Sequence, residues 1–420
     1  MDRQFKRQLQ NTRKAASVLA GLSFEMRNQL LLDLQHALLG ATADILAANE
    51  RDFAKLSKNY EMADRLRLTK ERIVSMAEGV AAVAKLPDPL GVTLEKRVMP
   101  NGLKIQRVSV PIGVLGIIYE ARPNVTVDIV ALALKSGNAA VLKGGSDAWA
   151  TNQTLGHVIH KVLQKHNLAP EAILLVNPTE PALVASMMKA HGLIDVLIPR
   201  GGQGLIDYVR KSARIPVIET GAGVCHIYVE ASANLSWAAD SIINAKTRRP
   251  SVCNALDTLV IDKKIVAALL HNVALKLVKH NVLIHADQVS YSILQKLYPN
   301  ALLQKVTAKD YGKEFLGLEM AIKVVNGFDQ GLAHVMRYTS HHSEAIITNT
   351  KRLADQFVRS VDAAAVYINA PTSFTDGFEF GLGAEVGIST QKLHARGPMG
   401  LSALTSYKWI IEGQGQIRPV

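Results

Sequence analysis

Cys253 sits in a setting that favours covalent chemistry. In the run Asn244-Ala245-Lys246-Thr247-Arg248-Arg249-Pro250-Ser251-Val252-Cys253-Asn254-Ala255 it follows three basic side chains. Nearby positive charge stabilises a thiolate, the nucleophilic form of cysteine. The segment is polar and broken by Pro250, unlike a core strand. Composition alone leaves two readings open for Cys253: a nucleophile, or an inert thiol at the start of the apolar run from Leu256 to Ile261. Cys225 is the only other cysteine, in Glu219-Thr220-Gly221-Ala222-Gly223-Val224-Cys225-His226. Its neighbour His226 need not face it, and the following Ile227-Tyr228-Val229 predicts a buried strand and a structural role. Two cysteines support neither a disulfide framework nor a metal cluster, so no metal is expected. A further turn, Arg200-Gly201-Gly202, has the form of a strand-to-helix connection whose amides and arginine can approach an anion.

The elements that must position these residues fall into two sets. The first ninety residues read as helical. Leu31, Leu34 and Leu38 recur on one face behind a cap at Ser23, and further helices are expected over Ile45–Leu56 and Thr69–Leu86. Asn101-Gly102 between short alternating runs predicts a hairpin near 96–109, a ribbon whose edge can serve a second subunit. From Pro111 strands alternate with helices. Strands are expected at Ile112–Ile118, up to Lys143, and at Ile173–Val176, Ile194–Ile198 and Ile215–Ile218. Repeated βα units of this kind predict an open, doubly wound sheet. Beyond Tyr228 a second α/β set follows, with strands at Leu256–Ile261, Ala321–Val325, Ala345–Thr348 and Ala364–Ile368. The tail from Pro398 to Ile411, carrying Leu401, Leu404 and Trp409, is expected to pack. The domain reading is 1–227, 228–370, and a return segment with a C-terminal oligomerisation tail over 371–420.

Composition excludes several classes. Hydrophobic residues at 48% and charged residues at 20% describe an ordinary globular chain. No stretch approaches the roughly 20 apolar residues of a membrane span, and the polar start is unlike a secretory signal, so no membrane association and a cytoplasmic location are expected. The formal charge of +12 attracts anions. Basic residues form no long run and no nucleic-acid-binding motif is present, so a small phosphorylated or carboxylated ligand is expected and nucleic acid is not.

The series Tyr119-Glu120-Ala121-Arg122-Pro123-Asn124-Val125-Thr126-Val127-Asp128, Leu134-Lys135-Ser136-Gly137-Asn138-Ala139, Lys143-Gly144-Gly145-Ser146, Pro199-Arg200-Gly201-Gly202, Glu219-Thr220-Gly221-Ala222-Gly223 and the Cys253 segment runs in order through most of the chain. This series resembles the aldehyde dehydrogenase superfamily, and most closely its gamma-glutamyl phosphate reductase family. The resemblance implies an aldehyde dehydrogenase-like α/β fold: an open, doubly wound cofactor-binding sheet plus a second α/β catalytic domain. It implies NADPH-dependent reduction of L-glutamate 5-phosphate to L-glutamate 5-semialdehyde and phosphate, in proline biosynthesis, through a Cys253 thioester. It places Arg122 or Asn124 at the oxyanion and Glu219 at the position of the general base of hydrolytic relatives. Lys143 and Ser146 fall at the NADP 2′-phosphate, and Arg200, Gly201 and Glu314 at the cofactor. Lys246, Arg248 and Arg249 become candidates for the substrate phosphate, which a guanidinium fork matches well. A homo-oligomer and functional association with the upstream glutamate kinase are expected. Two alternatives are a hydrolytic NAD(P)-dependent aldehyde dehydrogenase and a non-catalytic anion-binding protein on the same fold.

Overall fold

A computed structural model describes residues 2–57, 63–120 and 122–418. The chain forms two compact units, one of residues 1–220, 381–387 and 393–420, the other of 221–380 and 388–392. The expected boundary at 227 would cut through the strand Cys225–Val229, so the division falls earlier, after Thr220. The segment 371–420 is no separate domain, since its first ten residues join the second unit and most of the rest joins the first.

The first unit begins with a helix at Arg3, within the stretch expected to be helical. Asp2 caps it by accepting the amide of Phe5 at 2.9 Å. Ser23 and Thr69 cap the helices Phe24–Gly40 and Lys70–Lys85 by accepting the amides of Met26 and Arg72, which satisfies donors that a helix start leaves open. Leu31, Leu34 and Leu38 are buried in the core. The hairpin strands are β1 (Thr93–Val98) and β2 (Lys104–Pro111), antiparallel. Between them the Gly102 amide donates to the Met99 carbonyl, and Gly102 takes the left-handed φ of +86° that a tight connection needs. The C-terminal strand Thr405–Glu412 adds to the other side of β2. Leu401 and Leu404 are buried as expected. Trp409 is not: it lies half-exposed on this sheet, edge-on to Tyr407 and beneath Arg107.

The unit's parallel sheet contains β3 (Val114–Tyr119), β4 (Ala139–Lys143), β5 (Ile173–Leu175) and β6 (Val196–Arg200), in the order β5-β4-β3-β6. All six residues of β3 are buried, as a central parallel strand requires. The strand expected at Ile215–Ile218 reduces to a single bridge from Val217 to Leu197, since Pro216 has no amide to extend the ladder.

The second unit carries β7 (Cys225–Val229), β8 (Leu256–Asp262), β9 (Leu283–Ala286), β10 (Leu303–Lys305), β11 (Glu319–Val325), β12 (Ser343–Ile347) and β13 (Ala365–Ile368). They form one parallel sheet in the order β10-β9-β11-β8-β7-β12-β13. Strands β9 and β10 escape a pattern reading because they are short and carry His285, Gln304 and Lys305 among few apolar residues. Among the described residues no single helix is long and apolar enough to cross a membrane.

Candidate active site

In the second unit, the helix Leu235–Thr247 starts at Asn234, whose side chain accepts the amides of Ser236 and Trp237. Its course ends ahead of Pro250, which cannot continue a helix hydrogen-bond ladder. The chain then turns through Val252–Ala255, with the Ala255 amide donating to the Val252 carbonyl at 3.1 Å, and enters β8. Cys253 lies in that turn and is half-buried. The carbonyl of Cys253 accepts a hydrogen bond from the Cys225 thiol at 3.2 Å. A Cβ on Gly223 would lie 1.5 Å from that same carbonyl oxygen, so the nucleophile segment rests directly on a glycine. Cys225 itself is fully buried on β7, and burial pushes its thiol well above the ordinary value. It stays a neutral thiol, suited to donating a hydrogen bond rather than to attack.

Asn254 anchors the other end of the turn. Its amide donates to the carbonyls of Ser373 and Thr375, while the Thr372 hydroxyl donates to the Asn254 carbonyl. Sequence patterning overlooks Asn254; its one local signal is a polar residue next to the candidate cysteine. The basic residues separate. Lys246 is fully buried, with its ammonium donating to the carbonyls of Gly317 and Glu319 at 3.1 and 2.8 Å and facing Asp257 at 3.9 Å. It is therefore removed from the substrate-phosphate candidates. Arg248 and Arg249 are exposed, Arg248 donating weakly to the Ser373 carbonyl at 3.4 Å. Glu314 lies in the irregular connection before β11, and its carboxylate accepts the Gly223 amide at 2.9 Å.

The first unit gathers the other candidates at the carboxyl ends of β3, β4 and β6, where ligands of open parallel sheets bind. Lys143 ends β4, half-buried. Burial lowers its pKa, and the carboxylates of Glu120 and Asp147 oppose that shift. Gly144 follows because a Cβ there would meet the Asn152 amide at 2.5 Å and the Tyr119 ring. Ser146 is exposed and donates to Asp147 at 3.2 Å. The Arg200-Gly201-Gly202 turn is closed differently from the open anion cradle expected of it. Glu120 accepts the Gly202 amide at 3.1 Å, and its carboxyl carbon would lie 2.5 Å from a Cβ on Gly201. Glycine at 201 thus makes room for a carboxylate of the protein. Arg200 reaches the Glu385 carbonyl at 3.5 Å. Arg122 immediately precedes the helix Pro123–Lys135, Asn124 donates to Asp128 at 3.3 Å, and Ala121 lies outside the described residues. Burial raises the Asp128 carboxyl to about 6, against the opposing charge of Arg200. Glu219 is half-buried with Arg210 4.0 Å away.

Comparison with known proteins identifies the family. The model of the aldehyde dehydrogenase family matches residues 3–290. The chain is 50% identical over 413 residues to a gamma-glutamyl phosphate reductase of Chlorobium luteolum, covering 98% of each chain. It is 50% identical over 404 residues to the gamma-glutamyl phosphate reductase of Bacteroides thetaiotaomicron, covering 96% of each. The crystal structure of gamma-glutamyl phosphate reductase from Thermotoga maritima superposes with a TM-score of 0.94 at 40% identity, covering 99% of this chain and 100% of that one. A propionaldehyde dehydrogenase of Rhodopseudomonas palustris, solved with CoA and an acylated cysteine, shares the fold with a TM-score of 0.70 at 15% identity. The ordered motifs, the half-buried cysteine on its glycine shelf and these likenesses lead to one assignment: the chain belongs to the aldehyde dehydrogenase family and, within it, to the gamma-glutamyl phosphate reductases.

Proposed function

We propose that the protein reduces L-glutamate 5-phosphate to L-glutamate 5-semialdehyde and phosphate in proline biosynthesis, with Cys253 as the covalent nucleophile. The observation that carries the reading is the half-buried Cys253 in a polar turn, beside a second cysteine that is wholly buried and inert. The Cys253 thiolate attacks the acyl-phosphate carbonyl, the carbon–oxygen bond to phosphate breaks, and a thioester remains. Sulfur suits both this step and the later collapse to the aldehyde, being a strong nucleophile and an adequate leaving group. The Cys253 amide and a side-chain donor, Arg122 or Asn124, stabilise the tetrahedral oxyanion. Arg248 and Arg249, both exposed, are the remaining candidates for the departing phosphate. Phosphate leaves as an anion and needs little acid assistance, and the thioester is reduced rather than hydrolysed, so no water has to be activated and Glu219 has no obligatory role as a base.

When bound, NADPH would supply the hydride that the thioester carbonyl accepts. The residues present fit that cofactor. Lys143 places an ammonium at the end of β4, beside the Gly144-Gly145 turn and the exposed Ser146 hydroxyl, the donor set a 2′-phosphate requires. Asp147 competes for the same lysine, which tempers its grip on an anion. Glu314, which accepts the Gly223 amide, is the candidate acceptor for ribose hydroxyls.

The three-stranded sheet exposes apolar side chains on both faces, Tyr407, Trp409 and Ile411 on one and Val98 and Ile410 on the other, which suits a homo-oligomer. An acyl phosphate is a reactive anhydride, which favours functional association with the glutamate kinase that makes it and a shared cytoplasmic location. A hydrolytic aldehyde dehydrogenase and a non-catalytic anion-binding protein are the competing readings. The test supplies glutamate 5-semialdehyde and NADP with and without phosphate, using wild type and Cys253→Ala. Acyl-phosphate formation that requires both phosphate and Cys253 is expected. Phosphate-independent release of glutamate favours the hydrolytic reading, and full turnover by Cys253→Ala removes the nucleophile assignment.

A further inference from the structure

One buried lysine–carboxyl pair lies between the nucleophile turn and the Glu314 turn, within the second unit; burial raises Asp257 to about 7 and lowers Lys246, and each opposes the other's shift. Asp257, the second residue of β8, is 2% exposed, and Lys246 is fully buried. Removing two ions from water is costly unless their remaining hydrogen-bonding capacity is filled. Here it is filled by backbone on two sides. One Asp257 oxygen accepts the Phe315 amide at 3.0 Å, and the other accepts the Cys225 amide at 3.4 Å. Lys246 holds the carbonyls of Gly317 and Glu319. The turn from Glu314 to Glu319 is thereby fixed at three backbone groups. It needs such fixing, because Leu316 sits in the left-handed region at φ +54°, unfavourable for a leucine, with its side chain 46% exposed and so little anchored by packing.

The same carboxylate reaches the nucleophile by a second route. The Cys225 amide bonds Asp257, and the Cys225 thiol bonds the Cys253 carbonyl. Glu314 closes the circuit through the Gly223 amide, and Gly223 packs on that same carbonyl. We infer that Lys246 and Asp257 are positioning residues that set the Cys253 turn and the Glu314 turn in one register, so that nucleophile and cofactor-side carboxylate move together. This inference rests on the reading of Cys253 as nucleophile and Glu314 as a cofactor contact. Neither Lys246 nor Asp257 need touch a ligand. Their function is to convert a buried charge into a fixed distance between two turns, and displacements of about 1 Å at a reacting group can cost of order 10²-fold in rate.

The test compares wild type, Asp257→Asn, Lys246→Met and the double variant Lys246→Met/Asp257→Asn. Folded fraction, kcat, KM for NADPH and the rate of Cys253 alkylation by iodoacetamide are measured on the full chain. Each single variant leaves one charge buried without its counter-ion and should lose stability. The double variant removes both charges and should recover most of that loss. It should still show at least a tenfold fall in kcat, a raised KM for NADPH and an altered alkylation rate, because the two turns are no longer tied. A double variant with kcat, KM and alkylation within twofold of wild type would make the pair purely structural and overturn the inference. If the double variant does not fold, the single variants decide: kcat, KM for NADPH and alkylation per folded molecule should be altered as above, and values within twofold of wild type in both overturn the inference. Failure of the reading beneath it is separately visible, as turnover by Cys253→Ala.

Discussion

Gly223→Ala should disable the enzyme through a single methyl group. The added Cβ would stand 1.5 Å from the Cys253 carbonyl oxygen, 2.4 Å from its carbon and 2.8 Å from the Cys253 Cα. Ordinary contact between such atoms is about 3.5 Å, so the two segments must separate by roughly 2 Å. The Gly223 side resists movement: its amide is held by Glu314, the Val224 amide by the Ser340 hydroxyl at 2.8 Å, and the Cys225 amide by Asp257. The Cys253 turn is half-buried and is entered from the exposed Arg248 and Arg249, so that side yields first. A nucleophile misplaced by about 1 Å costs of order 10²-fold, which sets a loss of about 10² or more in kcat. Overpacking should cost about 1–3 kcal/mol of stability. The assay is steady-state kcat at saturating acyl phosphate and NADPH, with thermal melting and Cys253 alkylation on the same preparations. Gly79→Ala is the control, since a Cβ there meets nothing within 4 Å, and alanine in a helix interior should add roughly 0.5–1 kcal/mol. A Gly223→Ala enzyme within threefold of wild-type kcat would show that the glycine shelf does not set the nucleophile's position.

Two further outcomes are expected. Lys143→Ala should lower the NADPH-over-NADH ratio of kcat/KM by roughly tenfold, since a charge-assisted contact contributes about 1.5–3 kcal/mol and this one is half-exposed; an unchanged ratio means another residue reads the 2′-phosphate. His342 is fully buried beside the Cys225 thiol and the Ser343 hydroxyl, and burial depresses its pKa to about 4. The unfolded chain therefore takes up the proton first as pH falls. The contribution of this histidine is whole above about pH 6.5 and is lost progressively toward pH 4. Between pH 6.5 and 4.5 the stability advantage of wild type over His342→Gln should shrink by about 2–3 kcal/mol, at about 1.4 kcal/mol per pH unit. Urea midpoints of the two proteins that shift in parallel would show that His342 does not titrate in this way.

What the sequence made legible was whatever chemistry repeats locally. Asn101-Gly102 between alternating runs, Ser23 and Thr69 ahead of apolar helices, and the apolar run of β3 each carry their signal within a few residues, and each stands where expected. Pro216 carried a local signal too, against extending a ladder at Ile215–Ile218, and the apolar pattern around it obscured that. The glycine of Arg200-Gly201-Gly202 looked like an opening for a ligand phosphate. Its partner is Glu120, 81 positions earlier, which only the pairing of β3 with β6 brings across. Lys246 misleads for a more specific reason. It lies two residues before Arg248, and on a helix a step of two turns a side chain by about 200°, so residues adjacent in a basic run face opposite ways. The burial of Lys246 follows from that rotation, while Arg248 and Arg249 stay outside. Its counter-ion was equally hidden. Asp257 is the single acid near the start of an apolar strand, where a period of two assigns it to solvent. In a parallel sheet covered on both faces there is no solvent side; burial raises the Asp257 carboxyl to about 7, and a buried cation, Lys246, opposes that shift. That pairing, rather than proximity to Cys253 in the chain, is what fixes the role of Lys246.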